Sequence, residues 1–139
     1  MRLRRLLAVT LAATGAVAGG VAAAAGPAQA ANPECNGVIS LPWSFPSVDI
    51  PLPAYVSSVS TSNCEMWLGH TGEKVRVLQA SLRACNGQNI AVDGSYGPAT
   101  ARAVRNVNGQ NGIYGPKTRA KMHWIGYKAN GGYACVQVG

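Results

Sequence analysis

Glu34, Asp49, Glu65, Glu73 and Asp93 are the only acids of this 139-residue chain, which also holds two histidines and four cysteines. Sugar hydrolysis by paired carboxylates needs two acids a fixed distance apart across a cleft. Asp93 is taken up by a tight turn, and Glu73 by the first turn of a helix, where an acid favours the dipole. That leaves Glu65 with Glu34 or Asp49, on loops. A zinc hydrolase needs three ligands and a base, and His70 and His123 stand alone, with no C-x-x-C or H-x-x-x-H spacing near them. A cysteine nucleophile would leave an odd thiol in an oxidising compartment. These residues predict no catalysis, no metal and no cofactor.

The elements that would position these groups begin after a leader. Met1–Arg5 carries three arginines, Leu6–Ala25 is an apolar Ala/Leu/Val/Gly run, and Ala28-Gln29-Ala30 ends it in an A-x-A pattern. Residues 1–30 therefore read as a secretory signal peptide, which predicts a secreted, extracellular or cell-wall-associated protein. No basic stop-transfer residues follow the run, and Cys35 follows Asn-Pro-Glu rather than small apolar residues. No stable membrane anchor is expected after cleavage. Cleavage leaves 109 residues, enough for one small domain, and takes the net charge from +7 to +4. The basic residues are dispersed, so nucleic acid is not an expected partner. Cys35, Cys64, Cys85 and Cys135 all follow the cleavage point, and an even count in a short secreted chain predicts two disulfides. Of three pairings, Cys64–Cys85 would require the chain to fold back along a helix. Cys35–Cys64 and Cys85–Cys135 are the favoured pairs.

The mature chain divides at about Ser62. Residues 31–63 hold five of the eight prolines, which excludes interior helix and predicts an extended segment, with Val38–Leu41 and Tyr55–Ser60 as short edge strands. Leu41–Pro46 is expected to run extended as a cover over something apolar. Helical stripes follow. Val75, Leu78 and Leu82 define a first helix over about Gly72–Ala84, with Thr71 as N-cap. Pro98 starts a second, which Gly109 stops, and Pro116 starts a third that buries Thr118, Met122 and Ile125 and stops at Gly126.

The second and third units repeat one another. Asp93-Gly-Ser-Tyr-Gly-Pro-Ala-Thr aligns with Asn111-Gly-Ile-Tyr-Gly-Pro-Lys-Thr at an offset of 18, sharing Gly, Tyr, Gly, Pro and Thr. Asp/Asn-Gly makes a tight turn, and Gly-Pro turns the chain into a helix whose first-turn Thr can bind free N–H groups.

Together, Val75-x-x-Leu78-Gln79-x-x-Leu82 and the two D/N-G-x-Y-G-P-x-T loops resemble the peptidoglycan-binding domain of bacterial secreted proteins, over about Gly69–Gly126. The resemblance implies a small all-α, three-helix bundle with structured loops over residues 64–130. An extended N-terminal segment (31–63) and a short tail (131–139) flank it, and two disulfides brace it. Val75, Leu78, Leu82, Val92, Ala103, Val104, Met122 and Ile125 are the expected core, with Trp67 and Trp124 at least half buried. The family usually accompanies a separate wall hydrolase domain, and the 32 residues of Asn32–Asn63 cannot hold one. The spacing from Thr100 to Asn111 is shorter than the family's, its usual Phe-Gln stands as Val107-Asn108, and Asn replaces Asp in the second turn.

The resemblance implies a non-catalytic module whose partner is peptidoglycan or another cell-wall polymer. The alternative is a disulfide-bonded secreted effector or inhibitor on the same scaffold, with a secreted protein as partner. Sugars offer apolar C–H faces and hydroxyls, so a site needs an aromatic face flanked by amides. Tyr96 and Tyr114, with Gln110 and Asn111, are the candidate ligand-binding residues, and Arg102 and Lys117 could attract anionic wall groups. The competing reading makes both tyrosines interior plugs.

Overall fold

A computed structural model describes residues 31–44 and 47–139. The expected signal peptide and the Phe45-Pro46 end of the expected cover lie outside the described residues.

The proline-rich stretch folds as a β-hairpin. β1 (Gly37–Ser44) pairs antiparallel with β2 (Ser47–Ala54), so that Pro42 faces Asp49, Ser40 faces Pro51 and Val38 faces Pro53. All three prolines thus fall in one alternating set of cross-strand pairs. Proline cannot donate, so this set must be the non-hydrogen-bonded one, and the ladder loses no donor. Along β2 the alternate residues Val48, Ile50, Leu52 and Ala54 are buried.

Three helices follow: α1 (Glu73–Cys85), α2 (Pro98–Asn108) and α3 (Pro116–Lys121). The chain then returns as β3 (His123–Lys128) and β4 (Tyr133–Gln137), and the four strands form one antiparallel sheet in the order β1-β2-β3-β4. The contact between β2 and β3 is short, through Val48–Lys128 and Asp49–Tyr127.

This architecture corrects the all-α expectation. The protein is a mixed fold in which three helices pack with a four-stranded antiparallel sheet, not a three-helix bundle. Two segments add to the hairpin in making this difference. The third helix was expected to reach Ile125, but it ends at Lys121, and Met122 is already extended at φ −77°, ψ 153°. Met122 and Ile125 are still buried, at 0 % and 7 % exposure. Three apart in an extended chain they point to opposite faces, and both faces are covered here, since adjacent Trp124 and Ile125 are both buried. The other segment is the tail, where β4 pairs with β3 from His123–Gln137 to Tyr127–Tyr133. Around Tyr55–Ser60, Tyr55 makes an isolated bridge to Thr61 rather than starting a strand. The α1 N-cap is Gly72 with φ 104°, not Thr71, which bridges to Ser95 instead.

α1 lies across β1, β2 and β3. Its Val75, Leu78 and Leu82 join Ile50, Leu52, Met66, Met122 and Trp124 in one fully buried core. Ala103 and Val104 enter it from α2, whereas Val92 is half-buried. Two disulfides close the structure, Cys35–Cys64 and Cys85–Cys135, the pairing that the sequence favours. The first joins the chain before β1 to the chain before α1, and the second ties the end of α1 to β4.

Candidate functional site

Each repeated loop is held from inside by one buried side-chain amide. In the first loop it is Gln79 of α1, 1 % exposed. Its Oε1 accepts from the N–H groups of Asp93 and Gly94, at 3.0 and 2.9 Å. Its Nε2 donates to Asp93 Oδ1, the Ser95 carbonyl and Thr100 Oγ1. In the second loop Asn108, the last residue of α2, does the same work. Its Oδ1 accepts from the N–H groups of Gln110 and Asn111, and its Nδ2 reaches the Asn111 carbonyl and Thr118 Oγ1. A glutamine reaches across from another helix, whereas Asn108 lies three residues before its loop. The shorter side chain therefore fits the shortened spacing between Thr100 and Asn111.

The repeat holds at the next level too. Asp93 Oδ1 accepts from the Ser95 N–H at 2.9 Å, and Asn111 Oδ1 accepts from the Ile113 N–H at 3.1 Å. The paired glycines, however, are needed for different reasons. Gly94 has φ 76°, a conformation that side chains disfavour. Gly112 has no such φ, but a Cβ there would come within 2.9 Å of Ala101 Cβ.

One connecting stretch, residues 66–72 with a turn at Leu68-Gly69, ties the loops together. Met66 exchanges both backbone hydrogen bonds with Tyr114, the Gly69 N–H donates to Tyr96 O, the Tyr96 N–H donates to His70 O, and the Gly72 N–H donates to Gly94 O. Tyr96 Oη then donates to the Gly112 carbonyl at 2.7 Å, linking the first loop to the second.

Tyr96 and Tyr114 are 2 % and 0 % exposed, so neither offers a face to a ligand. Both rings are interior plugs, because each is clamped between its own loop and the 66–72 stretch. Tyr114 packs edge-on against Trp124 with ring centroids 6.0 Å apart. Burial pushes both phenols well above their ordinary pKa, so neither acts as an acid or base near neutrality. Tyr114 Oη is a buried polar atom with no partner among the described residues, unlike Tyr96 Oη. The two Tyr→Phe substitutions should therefore differ in sign. Tyr114→Phe should be neutral or stabilising, and Tyr96→Phe should cost about 1 kcal/mol. Thermal denaturation of both variants checks this, and equal losses would contradict it.

The remaining expected site residues are exposed but dispersed. Gln110 and Asn111 stand on the second loop and Lys117 on α3. Arg102 lines a separate shallow concavity of about 220 Å³ with Gln88, Asn89 and Asn106. The surface beside the loops is instead supplied by residues that the sequence pattern did not mark as ligand-binding. Trp67 (37 % exposed) and Leu68 (56 %) lie on the bridging stretch, and Ile113 (43 %) lies on the second loop. The Met66–Tyr114 bridge brings Trp67 and Ile113 to neighbouring positions. His70 meets the Trp67 ring edge-on at 4.5 Å between centroids. The available signal was an apolar Trp-Leu pair just before a Gly-rich helix start.

Of the acids, Glu34 and Glu65 are backbone neighbours, and Glu65 Oε1 accepts from Asn32 Nδ2 at 3.1 Å. Asp49 lies elsewhere, on the sheet. Among the described residues no three His, Cys, Asp or Glu side chains form a group able to hold a metal ion.

Two titratable groups here make acid destabilising. The Ser95 N–H and then the Gln79 amide hold Asp93 below the usual carboxylate range. Burial and then Lys74 lower His70 from 6.5, against an opposing pull from Glu34. A lowered carboxyl pKa supplies stability that is complete above its unfolded value and lost as pH falls through the folded one. For His70 the unfolded chain takes up the proton first, so stability again falls as pH drops below 6.5. Melting temperature should be level above neutrality and decline on acidification, with the earlier part of the decline removed by His70→Gln. A rise in melting temperature between neutrality and the carboxylate range would contradict this.

Residues 71–122 match the family model described as a putative peptidoglycan binding domain. Searches of curated proteins and of solved structures returned no match. The matched stretch runs from the Thr71–Ser95 bridge through both clamped loops to Met122. It leaves out β1, β2, most of the 66–72 stretch, β3 and β4.

Proposed function

We propose that the protein is a secreted, non-catalytic module that attaches to peptidoglycan or a related cell-wall polymer. The family match over residues 71–122 carries this reading. Two disulfides are compatible with an oxidising location outside the cell. Trp67, Leu68 and Ile113 form the apolar part of the proposed contact surface, and Gln110 and Asn111 supply amides that can pair with hydroxyl or peptide groups. Tyr96 and Tyr114 act from beneath as supports that keep the two loops at a fixed separation. Arg102 and Lys117 add long-range attraction to wall carboxylates or phosphates, a contribution that salt screens.

Purified, polymer-stripped sacculi test the reading. The mature protein should co-sediment with them, and Trp67→Ala should weaken that binding with little change in melting temperature. Absence from the pellet, together with a stoichiometric complex with a secreted protein, would favour the effector or inhibitor reading instead.

A further inference from the structure

The sheet carries a second set of residues suited to sugar, on strands outside the family-matched segment. Pro42 faces Asp49, Asp49 faces Tyr127, and Tyr127 faces Tyr133, so these four stand in one row across all four strands. Directly opposed residues of an antiparallel sheet project to the same side. All four are exposed, with Tyr127 at 51 % and Tyr133 at 55 %. Pro42, Asp49, Tyr127 and Lys128 also line a concavity of about 400 Å³.

We propose that this row is a glycan platform that takes consecutive sugar rings of a β-linked N-acetylhexosamine strand. Three inter-strand gaps of about 4.8 Å make the row about 14 Å long. That spacing is close to one pyranose ring per strand. The row's chemistry also selects the occupant. Tyrosine and proline rings offer flat apolar faces to sugar C–H groups, and a tyrosine hydroxyl remains free for a polar contact. Asp49 places one acceptor of sugar hydroxyls and amide N–H groups within the row. A carboxylate at the centre disfavours an anionic polymer as occupant. Lys128 in the same lining offsets the Asp49 charge and leaves the concavity close to neutral, as an uncharged amino-sugar strand requires. An apolar protein partner would instead leave the Asp49 carboxylate buried without a hydrogen bond.

The inference depends on the wall-binding reading for its choice of polymer, but not for its geometry. Its probe is soluble N-acetylchitotetraose, titrated into the mature oxidised protein and followed by nuclear magnetic resonance or calorimetry. Saturable binding is expected. Tyr127→Ala should weaken it by about tenfold or more. Asp49→Ala should weaken it further than Asp49→Asn, which keeps a hydroxyl acceptor. Arg105→Ala, an exposed substitution on α2, should leave it unchanged. Melting curves of the same variants check that the sheet is intact, and Tyr133→Phe serves as a milder second probe that keeps the ring. Failure of the wild-type protein to bind the tetrasaccharide overturns the inference, as does wild-type affinity in Tyr127→Ala. Sacculus binding without tetrasaccharide binding would remove the platform and leave the wall reading standing. Tetrasaccharide binding without sacculus binding would do the reverse.

Discussion

Gln79→Ala should lower the melting temperature by about 10–20 °C, far more than an exposed polar substitution such as Asn106→Ala. The residue is 1 % exposed and makes five hydrogen bonds to one loop and one helix start. Truncation strands the Gly94 N–H and the Thr100 hydroxyl, both buried, at about 1–3 kcal/mol each. It also leaves a cavity between α1 and the loop. A total near 3 kcal/mol is a large share of the stability of a domain this size, and each kcal/mol moves the midpoint by about 4–8 °C. Gln79→Glu keeps the acceptor but loses the donor and sets a second carboxylate against Asp93. It should therefore be destabilised as well, and most strongly above the carboxylate range. Asn108→Ala should show a comparable loss from the second loop. A Gln79→Ala midpoint within about 3 °C of wild type would show that the loop is held by its backbone alone.

The second large effect is expected from the disulfides. Cys85 and Cys135 are separated by 50 residues, and Cys35 and Cys64 by 29. On the chain-entropy account these crosslinks stabilise by about 4 and about 3.6 kcal/mol. The longer one has a further structural role. β4 is an edge strand with β3 as its sheet neighbour, and Cys85–Cys135 anchors it to the end of α1. The Cys85→Ser/Cys135→Ser variant should therefore unfold at markedly lower guanidinium concentration. Its amide protection should be lost first in β4, then in β3. The Cys35→Ser/Cys64→Ser variant should also be destabilised, but should keep the β3–β4 pairing. Equal protection of β4 in the two variants would argue against this assignment of roles.

Much of the helical part is legible in the residues. α2 begins at Pro98 and stops before Gly109, where φ is 70°, because proline suits a first helical position and glycine a left-handed cap. The stripe of Val75, Leu78 and Leu82 places the inward face of α1 correctly, since a period of 3.6 is a local property. The sheet was also partly written in the chain. Val48, Ile50, Leu52 and Ala54 alternate along β2, and Asn130-Gly131 marks the turn between β3 and β4. The prolines hid the first signal. They exclude helix, but whether they break a strand depends on which cross-strand pairs they enter, and that is a property of the partner strand.

The candidate site divides in the same way. The repeated loops are visible as a pattern, and their tyrosines stand at equivalent positions. Whether those rings face water or the core was not encoded locally. Met66 pairs with Tyr114, and Gly69 and His70 pair with Tyr96, across separations of 26 to 48 residues. Those bonds lay the 66–72 stretch over both rings and turn Trp67 outward in their place. Likewise Gln79 and Asn108 stand in visible motif positions, but their work as loop clamps appears only once the loops close on them.

By itself, then, the sequence determined the helix starts and stops, the doubled turn chemistry and an even set of cysteines. Each of these depends on backbone preferences within a few residues. Tertiary structure decided that Met122–Ile125 leaves the helix for a strand, that the flanking segments meet in one sheet, and which aromatic faces remain exposed. Strand pairing and burial are settled by partners far away in the chain, whose contacts outweigh local preferences of a few tenths of a kcal/mol per residue.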